Sequence, residues 1–84
     1  MLSMARPSPT HSGIKELASL GKTIRGLRLE TGLSQEALAD EIGIDRSYMG
    51  GIERGEHNVA LVNLVKIAIA LNITTAELLA KAKL

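Results

Sequence analysis

The chain has 84 residues and a formal net charge of +1, from ten Lys and Arg against nine Asp and Glu. That length allows one domain with a marginal core, so idealised helix packing or oligomerisation is expected to support it. The absence of cysteine excludes disulfides and thiolate metal sites, and permits a reducing compartment.

Residues 1–13 hold both prolines, several hydroxyls and no apolar periodicity. They read as a flexible N-terminal arm, with residues 14–84 as the folded domain. No apolar run here is long enough for a signal peptide or a membrane span, so a cytosolic protein without a membrane partner is the simplest inference. From Ile14 the pattern changes. Leu17, Leu20, Ile24 and Leu27 recur at spacings of three and four, which predicts a first helix over about 14–31. Ser12 is its expected N-cap and Gly32 its terminator, and Gly21 inside it is expected to loosen or break it.

Ser34 caps a short second helix, Gln35–Ile42, with Leu38, Ala39 and Ile42 inward and Gly43 at its end. Asp45 caps a third, about Arg46–Arg54, stopped by Gly55. A fourth is predicted over about Ala60–Leu71, and a T-x-x-E capping box (Thr74, Glu77) opens a fifth, about Thr75–Lys83. Strand-like alternation and internal repeats are absent. The expected architecture is an all-α, compact five-helix domain.

The stretch QEALADEIGIDRSYMGGIERG carries the functional signal. Two short helices joined by a three- or four-residue turn must cross steeply. Ala39 supplies a small residue at the crossing, Gly43 tolerates positive φ in the turn, and Leu38, Ile42, Ile44, Met49 and Ile52 pin both helices to one core. At about 100° per residue, Asp45, Tyr48, Met49, Ile52 and Glu53 share one side of the third helix. Arg46, Ser47, Gly50, Gly51 and Arg54 share the other, which is small or basic and free of acid. Such a surface suits a groove lined by phosphates. Arg46 is the leading candidate for a bidentate contact to guanine, worth about 1–3 kcal/mol of discrimination, and Ser47 the second. Gly50 and Gly51 each cost the helix roughly 1 kcal/mol against alanine. Close approach of backbone to DNA would account for them, and so would close packing on a neighbouring element. Tyr48 is the only aromatic, which disfavours single-strand readout by stacking.

With L-x-x-x-I-R-x-L-R, GLSQEALA, IERG and VNLVKIAIALNI across about Leu20–Leu79, the sequence resembles the Cro/CI-type, or XRE, helix-turn-helix family. The run DRSYMGGIERGE-x-N is most like the controller proteins of restriction–modification systems. The resemblance implies a Cro/CI-repressor-like DNA-binding domain with its helix-turn-helix at the second and third helices. It also implies that Gln35 binds a phosphate and supports the recognition helix, and that Arg28 pairs with Glu53 as a structural ion pair. The wheel agrees in turning Glu53 inward, where an unpaired carboxylate would be costly. Backbone contacts from the following loop fall on His57 and Asn58, although a solvated loop residue accounts equally for His57. Tyr48 and Arg54 join the phosphate-contacting set, with Lys22 and Arg25 from the first helix, although a solvated helix face accounts equally for those two. The sequence departs from the family at Gly51, where a long polar side chain is common, and at Val59-Ala60 in place of Pro-Ser, which weakens the cap of the fourth helix.

The fourth helix is too apolar for a one-sided surface helix. Leu61, Leu64, Ala68 and Leu71 form the expected core stripe, Val62, Val65 and Ile69 a second apolar edge, and Asn63, Lys66 and Ala70 the outer arc. Either the fifth helix and C-terminus cover that edge or it forms a homodimer interface, as the resemblance implies. The expected function is sequence-specific regulation of transcription at a roughly palindromic double-stranded DNA operator. The competing reading is an antitoxin or other protein-binding module, with residues 1–13 or the C-terminal tail as the only segments free to hold a partner. No cofactor, metal or small-molecule ligand is expected. His11 and His57 lie far apart without a second ligand at metal spacing. No nucleophile–histidine–acid arrangement or phosphate-binding glycine loop supports an enzyme.

Overall fold

The computed structural model describes residues 13–84. Five helices follow in order: α1 (Lys15–Glu30), α2 (Gln35–Ile42), α3 (Arg46–Glu53), α4 (Leu61–Ala70) and α5 (Thr75–Lys81). The described residues contain no strand. The expected N-cap Ser12 and the arm over 1–12 lie outside the described residues. The residue preceding α1 is Ile14, in extended backbone, and it offers no side-chain cap.

The local signals of the two short central helices act as expected. The Ser34 hydroxyl accepts from the Ala37 N–H, and the Asp45 carboxylate accepts from the Ser47 N–H at 3.1 Å. Thr74 and Glu77 form a complete capping box at α5, whereas α4 starts at Ala60 without any side-chain acceptor. All five helices end in one motif. A left-handed residue follows the last turn, and two backbone bonds return from beyond it, as in Leu33 N–H to Arg28 O and Gly32 N–H to Leu29 O. Gly32, Gly43 and Gly55 fill that position after the first three helices; Asn72 (φ +63°) and Lys83 (φ +64°) fill it after the last two.

The core gathers Leu20 and Ile24 of α1, Leu38, Ala39 and Ile42 of α2, Met49 and Ile52 of α3, and Leu64, Ile67 and Ala68 of α4, closed by Leu71, Leu78 and Ala82. Two expectations for α4 are corrected. Leu61 is exposed, and the fully buried Ile67 takes the inward position. Asn63 and Ala70, expected on the outer arc, are half-buried. An apolar sequence of this kind leaves the phase of the inward face undetermined until neighbouring helices choose it.

Gly21 neither breaks nor loosens α1. It is buried, and a methyl group there would stand 2.6 Å from the Glu53 carbonyl oxygen and collide with that of Ile52. Gly55 is in similar contact from the other side: a Cβ at that position would lie 2.7 Å from the Ala18 Cα. Glycine therefore lets the backbones of α1 and the end of α3 touch, which sets how far α3 stands from the body of the domain.

Candidate nucleic-acid interface

The orientation of α3 is fixed from its C-terminal end. The Glu53 carboxylate is buried and accepts three hydrogen bonds. Arg28 Nε donates to Oε2 at 2.7 Å and Arg28 Nη2 to Oε1 at 3.0 Å, while Gln35 Nε2 donates to Oε1 at 2.9 Å. Arg28 Nη1 also donates to the Leu33 carbonyl at 2.9 Å. One ion pair thus ties together α1, the turn after it, the first residue of α2 and the last residue of α3. Arg28 and Glu53 are each only 7% exposed. The hydrogen bond to Glu53 raises the Arg28 guanidinium above its ordinary value, against the desolvation that opposes it. The two-pronged geometry restricts angle as well as distance.

Arg46 and Ser47 occupy the exposed first turn of α3. Among the described residues no acid lies within ion-pair distance of Arg46. The Ser47 hydroxyl donates to the Asp45 carboxylate, which is held below the usual carboxylate range first by that hydroxyl and then by the Ser47 N–H.

Of the two accounts left open for Gly50 and Gly51, the structure agrees with close packing on a neighbouring element. Both are buried. A Cβ on Gly50 would meet Arg54 Nη1 at 3.1 Å and Gln35 Oε1 at 3.4 Å, and one on Gly51 would collide with the His57 imidazole. The protein's own side chains pack over both glycines. The sequence wheel treats α3 in isolation and cannot show the loop over 54–57 folding back on it.

Arg54 is exposed and paired with Glu56, Nε to Oε2 at 3.0 Å and Nη2 to Oε1 at 3.2 Å. That hydrogen bond is the main cause lowering the Glu56 carboxyl and raising the Arg54 guanidinium. Glu56 carries no sequence signal, because the pair forms across the turn at Gly55 rather than at helical spacing. Tyr48 and His57 are half-buried with ring centroids 5.1 Å apart. Asn58, Lys22 and Arg25 are exposed, and the last two stand on α1 beside the residues that face α3.

The acids Asp40 and Glu41 sit elsewhere. With Lys66, Ile69 and Ala70 they line an open groove of about 400 Å³ between the end of α2 and α4. Among the described residues nothing covers the second apolar edge of α4: Val62 is 64%, Val65 38% and Ile69 68% exposed, and Leu61 joins them. No single helix among the described residues is long and apolar enough to cross a membrane.

Comparison with known proteins agrees with this geometry. The helix-turn-helix family model HTH_3 matches residues 24–78. Control protein C.MunI of a Mycoplasma species is 51% identical over 59 residues, 69% of this chain and 80% of that protein. Control protein C.SmaI of Serratia marcescens is 43% identical over 68 residues, 81% of this chain and 79% of that protein. The crystal structure of the restriction–modification controller protein C.AhdI from Aeromonas hydrophila superimposes with a TM-score of 0.75 at 52% identity, covering 77% of this chain and 98% of that one. The biofilm regulator SinR, solved in complex with DNA, gives 0.67 at 33% identity, covering 71% of this chain and 97% of that one. The chain belongs to the XRE-type helix-turn-helix family of DNA-binding transcriptional regulators and is similar to its restriction–modification controller proteins.

Proposed function

We propose that the protein regulates transcription by binding a roughly palindromic duplex operator as a homodimer, with α3 in the major groove. The observation that carries this reading is the exposed, unpaired Arg46 on the first turn of a helix whose far end is locked by Arg28, Glu53 and Gln35. A rigid mount places a planar two-donor group where a guanine edge can meet it. The Ser47 hydroxyl has its proton committed to Asp45, so it offers lone pairs. That matches the amino donors of adenine N6 or cytosine N4. Lys22, Arg25, Gln35, Tyr48, Arg54 and Asn58 then serve the phosphates on either side.

The dimer reading is supported by the exposed edge of Val62, Val65 and Ile69, an apolar strip with no cover among the described residues. A twofold axis through it would set two copies of α3 about one helical turn of DNA apart, ~34 Å.

Selection of bound sequences from a random duplex pool at two salt concentrations tests the whole proposal. The expected result is an enriched twofold motif. Arg46→Ala should relax one position in each half-site, whereas Lys22→Ala should weaken all duplexes alike and reduce the salt slope by about one. Sedimentation at micromolar concentration should give a dimer that Ile69→Lys converts to monomer. A wild-type monomer would remove the dimer, and an unenriched pool would remove operator recognition.

A further inference from the structure

His57 lies outside the recognition helix, yet it occupies that helix's surface. Gly51 stands one turn after Ser47 on the same side of α3, so a side chain there would continue the row that Ser47 begins. Glycine provides none. The Cδ2–Nε2 edge of the His57 imidazole fills the space where the Cβ of residue 51 would be. One further contact seats the ring: Tyr48 packs against it at a tilt of 56°. The backbone bond that closes α3, from the Glu56 N–H to the Gly51 carbonyl at 2.9 Å, holds the start of the loop beside the position that the ring covers. The left-handed turn at Gly55 directs the chain back over the helix.

We propose that His57 replaces the side chain missing at Gly51 and reads a base edge in the major groove, as a specificity-determining residue. This rests on α3 entering the groove, as proposed above. A ring seated on the groove-facing row of a rigid helix has the position of a base reader, whereas a phosphate contact from the loop would need no glycine beneath it. An imidazole brings an N–H donor to that point, and the donor suits the N7 or O6 acceptors of guanine.

The test compares the sequences selected from a random duplex pool by the wild-type protein and by Arg46→Ala, His57→Ala, Gly51→Ala and the double variant Gly51→Ala/His57→Ala. His57→Ala should lose about tenfold discrimination at one position in each half-site, distinct from the position relaxed by Arg46→Ala. Gly51→Ala, whose methyl group displaces the ring, should lose the same position, and the double variant should be no worse than His57→Ala. The thermal midpoint of Gly51→Ala should equal or exceed that of the wild type, since alanine is the better helix former. Three results overturn the proposal: a wild-type profile from His57→Ala, full discrimination by Gly51→Ala, or a uniform weakening of every duplex by His57→Ala, the mark of a phosphate contact. If the wild-type protein itself enriches no motif, groove reading by α3 fails and takes this inference with it. If only the His57 and Gly51 variants leave the motif unchanged while Arg46→Ala relaxes it, this inference alone fails.

Discussion

At the seam between α1 and α3, backbone meets backbone at Gly21 and Gly55, and a carboxylate with three donors is sealed between the helices. Along the outer edge of α4, four aliphatic side chains stand exposed and the helix begins without a side-chain cap. The seam is directional. Its hydrogen bonds and glycine contacts hold only over a narrow range of angle and distance, which suits a helix that must be aimed. The α4 edge offers apolar area, which is attractive without specifying angle and suits contact with another surface. Directional contacts are therefore concentrated at the helix proposed to read DNA.

The largest expected effect tests whether the seam is held by its ion pair. Arg28→Ala leaves the Glu53 carboxylate buried with Gln35 as its remaining side-chain donor and frees the Leu33 carbonyl. Breaking a buried pair from one side costs about 3–5 kcal/mol. Against a typical total of about 5–15 kcal/mol, that would leave a small domain close to unfolding. Urea titration measures it, and a loss under about 1 kcal/mol would show that the network contributes little to holding α3.

The next effect separates glycines that share a helix. Gly21→Ala drives a methyl group into two backbone carbonyls, which cannot swing aside as a side chain can. The cost should reach the upper part of the overpacking range, about 3 kcal/mol. Gly26→Ala, five residues along α1, meets nothing within 4 Å and should gain up to about 1 kcal/mol from helix propensity. If both variants raise the unfolding midpoint equally, helix propensity rather than the α1–α3 contact governs this region.

These glycines also show what a sequence can carry. The caps at Ser34, Asp45 and Thr74 and the stops at Gly32, Gly43 and Gly55 were legible, because each acts within a few residues of itself. The stop at Lys83 was not, since lysine does not mark a left-handed position; Asn72 carries only the weaker asparagine signal, after a helix whose apolar run hides its end. Gly21 shows only its propensity cost in the sequence; the carbonyls that require it lie more than 30 residues away. Gly50 and Gly51 were placed on the outer arc by helical spacing, and what covers them comes from Gln35 and the loop after α3. The Arg28–Glu53 pair was legible through the inward phase of Glu53 together with the family resemblance. The phase of α4 was not, because LVNLVKIAIA is apolar on too many sides to exclude Leu61 or favour Ile67.

A smaller change sharpens the contrast from the α4 side. Ala60 has the extended backbone of an N-cap, φ −60° and ψ 143°, without an acceptor to use there. Ala60→Ser should supply one and stabilise the domain by about 1 kcal/mol in thermal or urea unfolding. No gain would mean that the first turn of α4 is satisfied by other means, and that the uncapped start is not a weakness of this half.

The smallest effect concerns the N-cap of α3. The Ser47 hydroxyl and N–H hold the Asp45 carboxyl below its ordinary value in the folded protein. A lowered folded-state value means that the charged cap adds stability above the ordinary carboxylate range, and that the addition is lost as the pH falls through the lowered value. Asp45→Asn keeps an acceptor for the Ser47 N–H but cannot titrate. Its unfolding midpoint should therefore lie slightly below that of the wild type near pH 7, and the gap should close as the pH drops below about 4. The fixed charge also interacts favourably with the N-terminal end of the α3 dipole, so added salt should narrow the same gap at neutral pH. A gap independent of both pH and salt would mean that Asp45 serves α3 only as a neutral acceptor.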